Sequence, residues 1–111
     1  MLCSCTVSYE EYRGFKKSYI YESLEDLQFS IRNSKFSKTL VNIRAIDKPD
    51  PLYVFPKGEK ILITEINTTY PNTSGLKFIY AKVLSGTFKN EMIRVSIVIE
   101  VTSFKEIEQK N

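Results

Sequence analysis

The sequence predicts an α+β fold that is mainly β, with a curved antiparallel sheet or small barrel of about five to six strands and one helix. Three observations support this prediction. Apolar residues alternate with polar ones in several segments, clusters of Gly, Pro, Asn and Asp separate these segments, and one stretch shows helical spacing instead. With 111 residues and 42% hydrophobic content, the chain is expected to form a single domain over residues 1–111.

The N-terminal region contains two candidate strands. The segments "LCSCTVSY" (2–9) and "FKKSYIYES" (15–23) are rich in β-branched and aromatic residues, and the turn "EEYRG" lies between them. Tyr and Lys occur on both faces of the second segment, so its alternation is weaker than that of the first.

The predicted helix spans residues 24–33, within "YESLEDLQFSIRNS". Ser23 is in position to act as N-cap, Asp26 follows it three residues later, and acidic residues fill the first turn. Leu24, Leu27 and Ile31 then recur at helical spacing.

Two further strands are predicted in the middle of the chain. The segments "KTLVNIRAI" (38–46) and "EKILITEI" (59–66) are β-branched, and the turn-forming sequences "DKPDP" and "NTTYPNTSG" follow them.

A long β-hairpin is predicted near the C-terminus. Apolar residues alternate with polar ones over 76–84 and 92–102, and "SGTFKN" between these segments supplies the Gly and Asn of a chain reversal. The odd-numbered residues are mostly apolar and are expected to face the core: Ile79, Ala81, Val83, Ile93, Val95, Ile97 and Ile99.

The opposite face of this hairpin is the candidate binding site. Opposed residues of an antiparallel pair project from the same side of the sheet, so the even-numbered residues share one face. Aromatic rings beside cations can stack nucleic-acid bases, or they can anchor a protein partner. A third interpretation is that the helix or the N-terminal strands cover Phe78 and Val98, and that Tyr80, Lys82 and Arg94 are merely solvated. The candidate partner-binding residues, including one in the turn, are Phe78, Tyr80, Lys82, Lys89 and Arg94.

Catalytic and metal sites are not expected. The chain contains no His, which removes the commonest general base and metal ligand. Cys3 and Cys5 supply at most two thiolates, and their spacing on an extended chain does not suit a disulfide. Acidic pairs lie in a predicted turn and in the first helical turn, where acids are expected for other reasons. We therefore predict a non-enzymatic protein that needs no cofactor.

The charge balance favours a protein partner over nucleic acid. The formal net charge is +3 and the pI is near 8.8, and no run of like charges occurs. We therefore predict an inhibitor, immunity factor or adaptor that binds a protein. A nucleic-acid-binding small β-barrel is the alternative. The usage of Lys, Ile, Asn and Tyr would also fit a protein encoded by a phage or mobile element.

The sequence also indicates in which cellular compartment the protein is expected. No secretory signal is expected, because "MLCSCTVSYEEY" has no basic lead and no long apolar run, and no stretch of the sequence approaches the roughly 18 uninterrupted apolar residues of a membrane span. A cytoplasmic protein with free thiols and no membrane partner is the expectation, and the oligomeric state is left open.

Overall fold

The computed structural model describes residues 6–30, 38–41, 52–69, 77–96 and 99–110. These residues form eleven strands and one short 3-10 turn, Val101–Ser103. The strands are β1 (Thr6–Ser8), β2 (Glu11–Tyr12), β3 (Phe15–Lys16), β4 (Tyr19–Ser23), β5 (Leu27–Ser30), β6 (Lys38–Val41), β7 (Leu52–Phe55), β8 (Lys60–Thr69), β9 (Phe78–Val83), β10 (Met92–Val95) and β11 (Phe104–Gln109). The fold is mainly β, as predicted.

Nine of the strands form one mixed sheet. Its order is β11-β4-β8-β9-β10-β6-β5-β7, with β1 beside β8, while β2 and β3 form a separate hairpin. All pairs in the large sheet are antiparallel except β10 with β6, which run parallel. The sheet is therefore mixed where an antiparallel one was expected, and it has nine strands where about five to six were expected. The described sheet has two ends and does not close into the small barrel that was the alternative.

The long strand β8 organises half of the sheet. Strands β1 and β4 pair end to end along one of its edges, and β9 pairs with the other. The pairing register with β9 shifts between Ile63 and Glu65, so Thr64 lies in a bulge, where its hydroxyl donates to the carbonyl of Tyr80 at 3.2 Å. The extra residue lets Ile63 and Ile66 both point into the core.

The core is one cluster of apolar side chains, most of them from the inner face of the large sheet. Aromatic rings meet edge to face within the cluster, with ring centroids 5.3 Å apart for Phe15 and Tyr21. The partly buried Phe88 packs against it, with its ring centroid 4.8 Å from that of Phe29. The members of the cluster are Phe15, Tyr21, Leu27, Phe29, Leu40, Phe55, Ile61, Ile63, Ile66, Ile79, Ala81, Val83, Ile93, Val95, Ile99 and Phe104. The odd-numbered hairpin residues predicted to face inward are buried wherever the structure describes them.

The predicted helix at 24–33 is wrong. Residues 27–30 form strand β5, residues 24–26 connect it to β4, and residues 31–33 lie outside the described part. Ser23 is the last residue of β4 and so does not cap a helix. Its hydroxyl donates to the carbonyl of Pro56 at 2.9 Å. Leu27 and Phe29 are buried on either side of the half-buried Gln28, which is the alternation of a strand. Pairing with β6 and β7 outweighs the local capping pattern.

Other boundaries also differ from the predictions. The segment 15–23 divides into β3 and β4 at Ser18, whose φ is 72°. The strand predicted over 92–102 ends at Val95, and Ile99 is buried without belonging to a strand. Ile97 and Val98 lie outside the described residues, as do residues 2–5 and 42–46 of the other predicted strands. Strands β2, β7 and β11 were not predicted, and β2 lies within the predicted turn "EEYRG".

Candidate protein-binding face

The hairpin β9–β10 has the register that the sequence predicts. Met92 lies opposite Lys82, and Arg94 lies opposite Tyr80, so these four side chains share one side of the sheet. On the other side Ile93 lies opposite Ala81, and both are fully buried. The alternation of this segment therefore separates a core face from an exposed face.

The turn of this hairpin is fixed by residues with positive φ. Gly86 has φ of 79° and Asn90 has φ of 76°, a region that Gly and Asn tolerate better than other residues. Hydrogen bonds from Val83 N to Glu91 O (2.9 Å) and from Asn90 N to Val83 O (2.7 Å) close the turn. The turn thus sets the register that places Tyr80 opposite Arg94.

Strand β8 extends the exposed side by one further strand. Leu62 lies opposite Lys82, and Glu65 lies opposite Tyr80. We define the outer face as seven residues in three neighbouring strands: Leu62 and Glu65 of β8, Phe78, Tyr80 and Lys82 of β9, and Met92 and Arg94 of β10. Two rows cross it, one running Leu62–Lys82–Met92 and the other Glu65–Tyr80–Arg94.

Arg94 is the most constrained charged group of the outer face. Its guanidinium carbon lies 5.0 Å from the centroid of the Phe78 ring, within the range of a cation–π contact. Its Nε is buried and donates to no acceptor among the described residues. The buried Nε and the aromatic contact favour this orientation of the guanidinium, which lowers the conformational entropy that binding would cost.

The outer face is partly open to solvent. Phe78 is 38% exposed and Met92 is 49% exposed, while Tyr80, Lys82 and Arg94 are half-buried. No helix long enough to cover Phe78 occurs in the described ranges. The alternative was that the predicted helix or the N-terminal strands cover Phe78 and Val98, and its helical part is wrong because residues 27–30 form strand β5. Val98 lies outside those ranges.

Lys89 lies apart from the two rows. It is exposed in the turn between β9 and β10, where its backbone N–H donates to Gly86 O at 3.2 Å. The neighbouring Phe88 packs against Phe29 and anchors the turn to the core. Four of the five predicted site residues thus share the outer face, and Lys89 does not belong to it.

Glu65 could not be assigned to this face from the sequence. Ile61 and Ile63 have odd numbers and point inward, so strict alternation would send Glu65 inward as well. The bulge at Thr64 reverses the parity and brings Glu65 beside Tyr80. A charged residue at a predicted core position was the available signal of a bulge.

A second set of cation–aromatic contacts involves the N-terminal strands. The Nζ of Lys77 lies 4.7 Å from the ring centroid of Tyr9 and 4.9 Å from that of Tyr12. The Nζ of Lys16 lies 5.1 Å from the Tyr19 ring centroid. These contacts attach the β2–β3 region to the sheet, and sequence reasoning did not identify them.

Two groups near this region have shifted pKa values. The hydrogen bond to Glu106, which lies 3.4 Å away, is the main cause that raises the pKa of Lys16. Burial raises the pKa of Tyr21, whose hydroxyl accepts from Lys16 N at 2.8 Å.

The described residues hold no group of three or more His, Cys, Asp or Glu side chains that could bind a metal ion. Cys3 and Cys5 lie outside them. Within the same ranges, none of the helical segments has the length and apolar character to cross a membrane.

Comparisons with known proteins give no match: no protein family, curated protein or solved structure is similar to this chain at a significant level. The fold and the outer face therefore define only a structural class, a mainly β protein built on one mixed sheet.

Proposed function

We propose that this protein is a small non-enzymatic binding protein that docks on a protein partner through the outer face, as an inhibitor, an immunity factor or an adaptor. The observation that carries the proposal is the arrangement around Arg94. Its guanidinium is held over Phe78, and the exposed Phe78 and Met92 flank it. Aromatic, Met and Arg side chains are enriched at protein interfaces, and Tyr and Arg are among the residues that contribute most to binding there.

The charges of the outer face favour a protein partner over a nucleic-acid partner. Glu65 stands in the same row as Arg94, so the row carries both signs. Nucleic-acid affinity depends mainly on clustered cations that neutralise phosphates, and a carboxylate among them opposes it. A protein partner can present both signs in a complementary arrangement.

Affinity capture from lysate of the source cells, followed by purification of the captured protein, tests the proposal. Tyr80→Ala and Arg94→Ala should each weaken binding of the purified partner by about thirtyfold, because central aromatic and Arg anchors contribute about 2 kcal/mol or more. Lys105→Ala is the matched control, since Lys105 is an exposed cation on β11, outside the outer face. Equal binding by all three variants would mean that the partner uses another surface.

Nucleic-acid binding is the second candidate, because Phe78 and Tyr80 lie beside Lys82 and Arg94 on one sheet surface. Lys82→Ala separates the two functions. On a single-stranded oligonucleotide, loss of one phosphate contact should lower the slope of log affinity against log salt by about one unit. On a protein partner no phosphate contact is lost, so the effect of Lys82→Ala should depend on which charge of the partner faces Lys82.

A further inference from the structure

The two rows of the outer face are chemically asymmetric about β9. In one row Glu65 lies on the β8 side of Tyr80, and Arg94 lies on the β10 side. In the other row Leu62 and Met92 occupy the corresponding positions on either side of Lys82. Neighbouring strands are about 4.8 Å apart, so the flanking residues lie at similar distances from the line of β9.

This asymmetry makes the outer face complementary to itself. A two-fold axis that lies in the interface along β9 places β8 of one copy over β10 of the other. Glu65 of each copy then faces Arg94 of the other, and Leu62 of each copy faces Met92 of the other. Phe78 and Tyr80 lie close to the axis and face their own counterparts, which is the arrangement of an isologous dimer.

We infer that the outer face binds a second copy of this chain, with two reciprocal Glu65–Arg94 ion pairs and two reciprocal Leu62–Met92 contacts. The inference rests on the proposed function, because it assigns a partner to the same face. Charge complementarity supports this occupant: Glu65 and Arg94 do not pair within one chain, since Tyr80 stands between them. The contact with Phe78 favours one orientation of the Arg94 guanidinium, in which it presents its charge at the outer face.

The charges select one orientation of the two copies. An axis perpendicular to β9 that runs along the row Glu65–Tyr80–Arg94 would place Glu65 over Glu65 and Arg94 over Arg94, and both contacts are repulsive. A perpendicular axis midway between the two rows would place Glu65 over Leu62 and Arg94 over Met92, which leaves both charges without an opposite partner. The axis along β9 gives nearly aligned strands, and face-to-face sheets commonly pack within about 30° of alignment.

Lys82 is the unfavourable element of this arrangement. It lies on the line of β9, so the two Lys82 side chains approach each other. Their long stems allow the ammonium groups to move apart toward solvent. Removing the charge should therefore strengthen self-association, whereas the same change would weaken binding to a nucleic acid.

Charge reversal combined with sedimentation equilibrium tests the inference. The wild-type protein should show a concentration-dependent dimer. E65R and R94E should each weaken it at least about tenfold, because each variant creates two like-charge contacts. An equimolar mixture of E65R and R94E should associate again, because both contacts are then attractive, and the double variant E65R/R94E should also dimerise. K105E is the control and should match the wild type, while Lys82→Ala should dimerise more tightly.

Three outcomes would overturn the inference: a wild-type protein that stays monomeric up to about 1 mM, single variants that dimerise like the wild type, or a mixture that fails to restore association. Each single variant should keep a thermal transition, which shows that it folds, so failed rescue between two folded variants reports on the proposed contacts. If the protein is monomeric but binding of a captured partner still requires Tyr80 and Arg94, only self-association is contradicted. If binding of the captured partner requires neither residue, the proposed function is contradicted as well.

Discussion

Replacing Ile93 by Ala tests the assignment of the inner and outer sides of the hairpin. Ile93 is fully buried in β10, between β9 and β6, and lies opposite Ala81. The change removes three buried carbons, which corresponds to about 2.4 kcal/mol of transfer free energy at about 0.8 kcal/mol each. The small Ala81 side chain cannot fill the space left behind, so a cavity cost is added. We expect a loss of about 3 to 4 kcal/mol in the free energy of unfolding.

Urea unfolding followed by far-UV circular dichroism measures this loss as a lower midpoint at an unchanged slope. Met92→Ala is the matched control, because Met92 is the preceding residue, is 49% exposed and projects from the opposite side. Its cost should stay near 0.5 kcal/mol. If Met92→Ala were the more damaging change, the two sides of the hairpin would be reversed and the proposed outer face would be the core.

Two further predictions concern the N-terminal hairpin and its attachment. Gly14→Ala should destabilise the protein more than Gly58→Ala, although both positions have positive φ. An added Cβ at Gly14 would lie 2.7 Å from Cγ1 of Val101, whereas an added Cβ at Gly58 would have no atom within 4 Å. Equal losses in urea unfolding would show that backbone strain alone decides the cost. Stability should also fall as the pH rises above about 10, because burial raises the pKa of Tyr21 in the folded state and the unfolded tyrosine loses its proton first. Tyr21→Phe should make this alkaline loss shallower in denaturation curves measured at successive pH values, and an unchanged curve would contradict the assignment.

The β9–β10 hairpin was predictable because its signals are local and agree with one another. Alternation, a Gly in the turn and an apolar odd-numbered set all indicate the same register, and the register in turn fixes which side Tyr80 and Arg94 occupy. Four of the five candidate residues followed from this parity. Lys89 did not, because a turn residue has no fixed parity relative to the strands.

The errors arise where distant parts of the chain decide the structure. Ser23 and Asp26 imitate a helix cap, yet both bond to the β7–β8 connection, Ser23 through Pro56 O and Asp26 through Lys57 N. No local pattern encodes the parallel pairing of β10 with β6. Strand β11 was missed because exposed charges fill it, which is common for an edge strand and hides the apolar alternation.

The position of β4 and β5 in the sheet has a consequence for how the protein unfolds. The strands are joined by only three residues, 24–26, yet β8, β9, β10 and β6 lie between them in the sheet. The connection from β7 to β8 bridges the same corner, where Ser23 N donates to Glu59 O and Gly58 N donates to Ser23 O. Two short links therefore join the halves of the sheet at one point. Neither half can separate from the other without breaking that corner, so β4 and β5 belong to one cooperative unit.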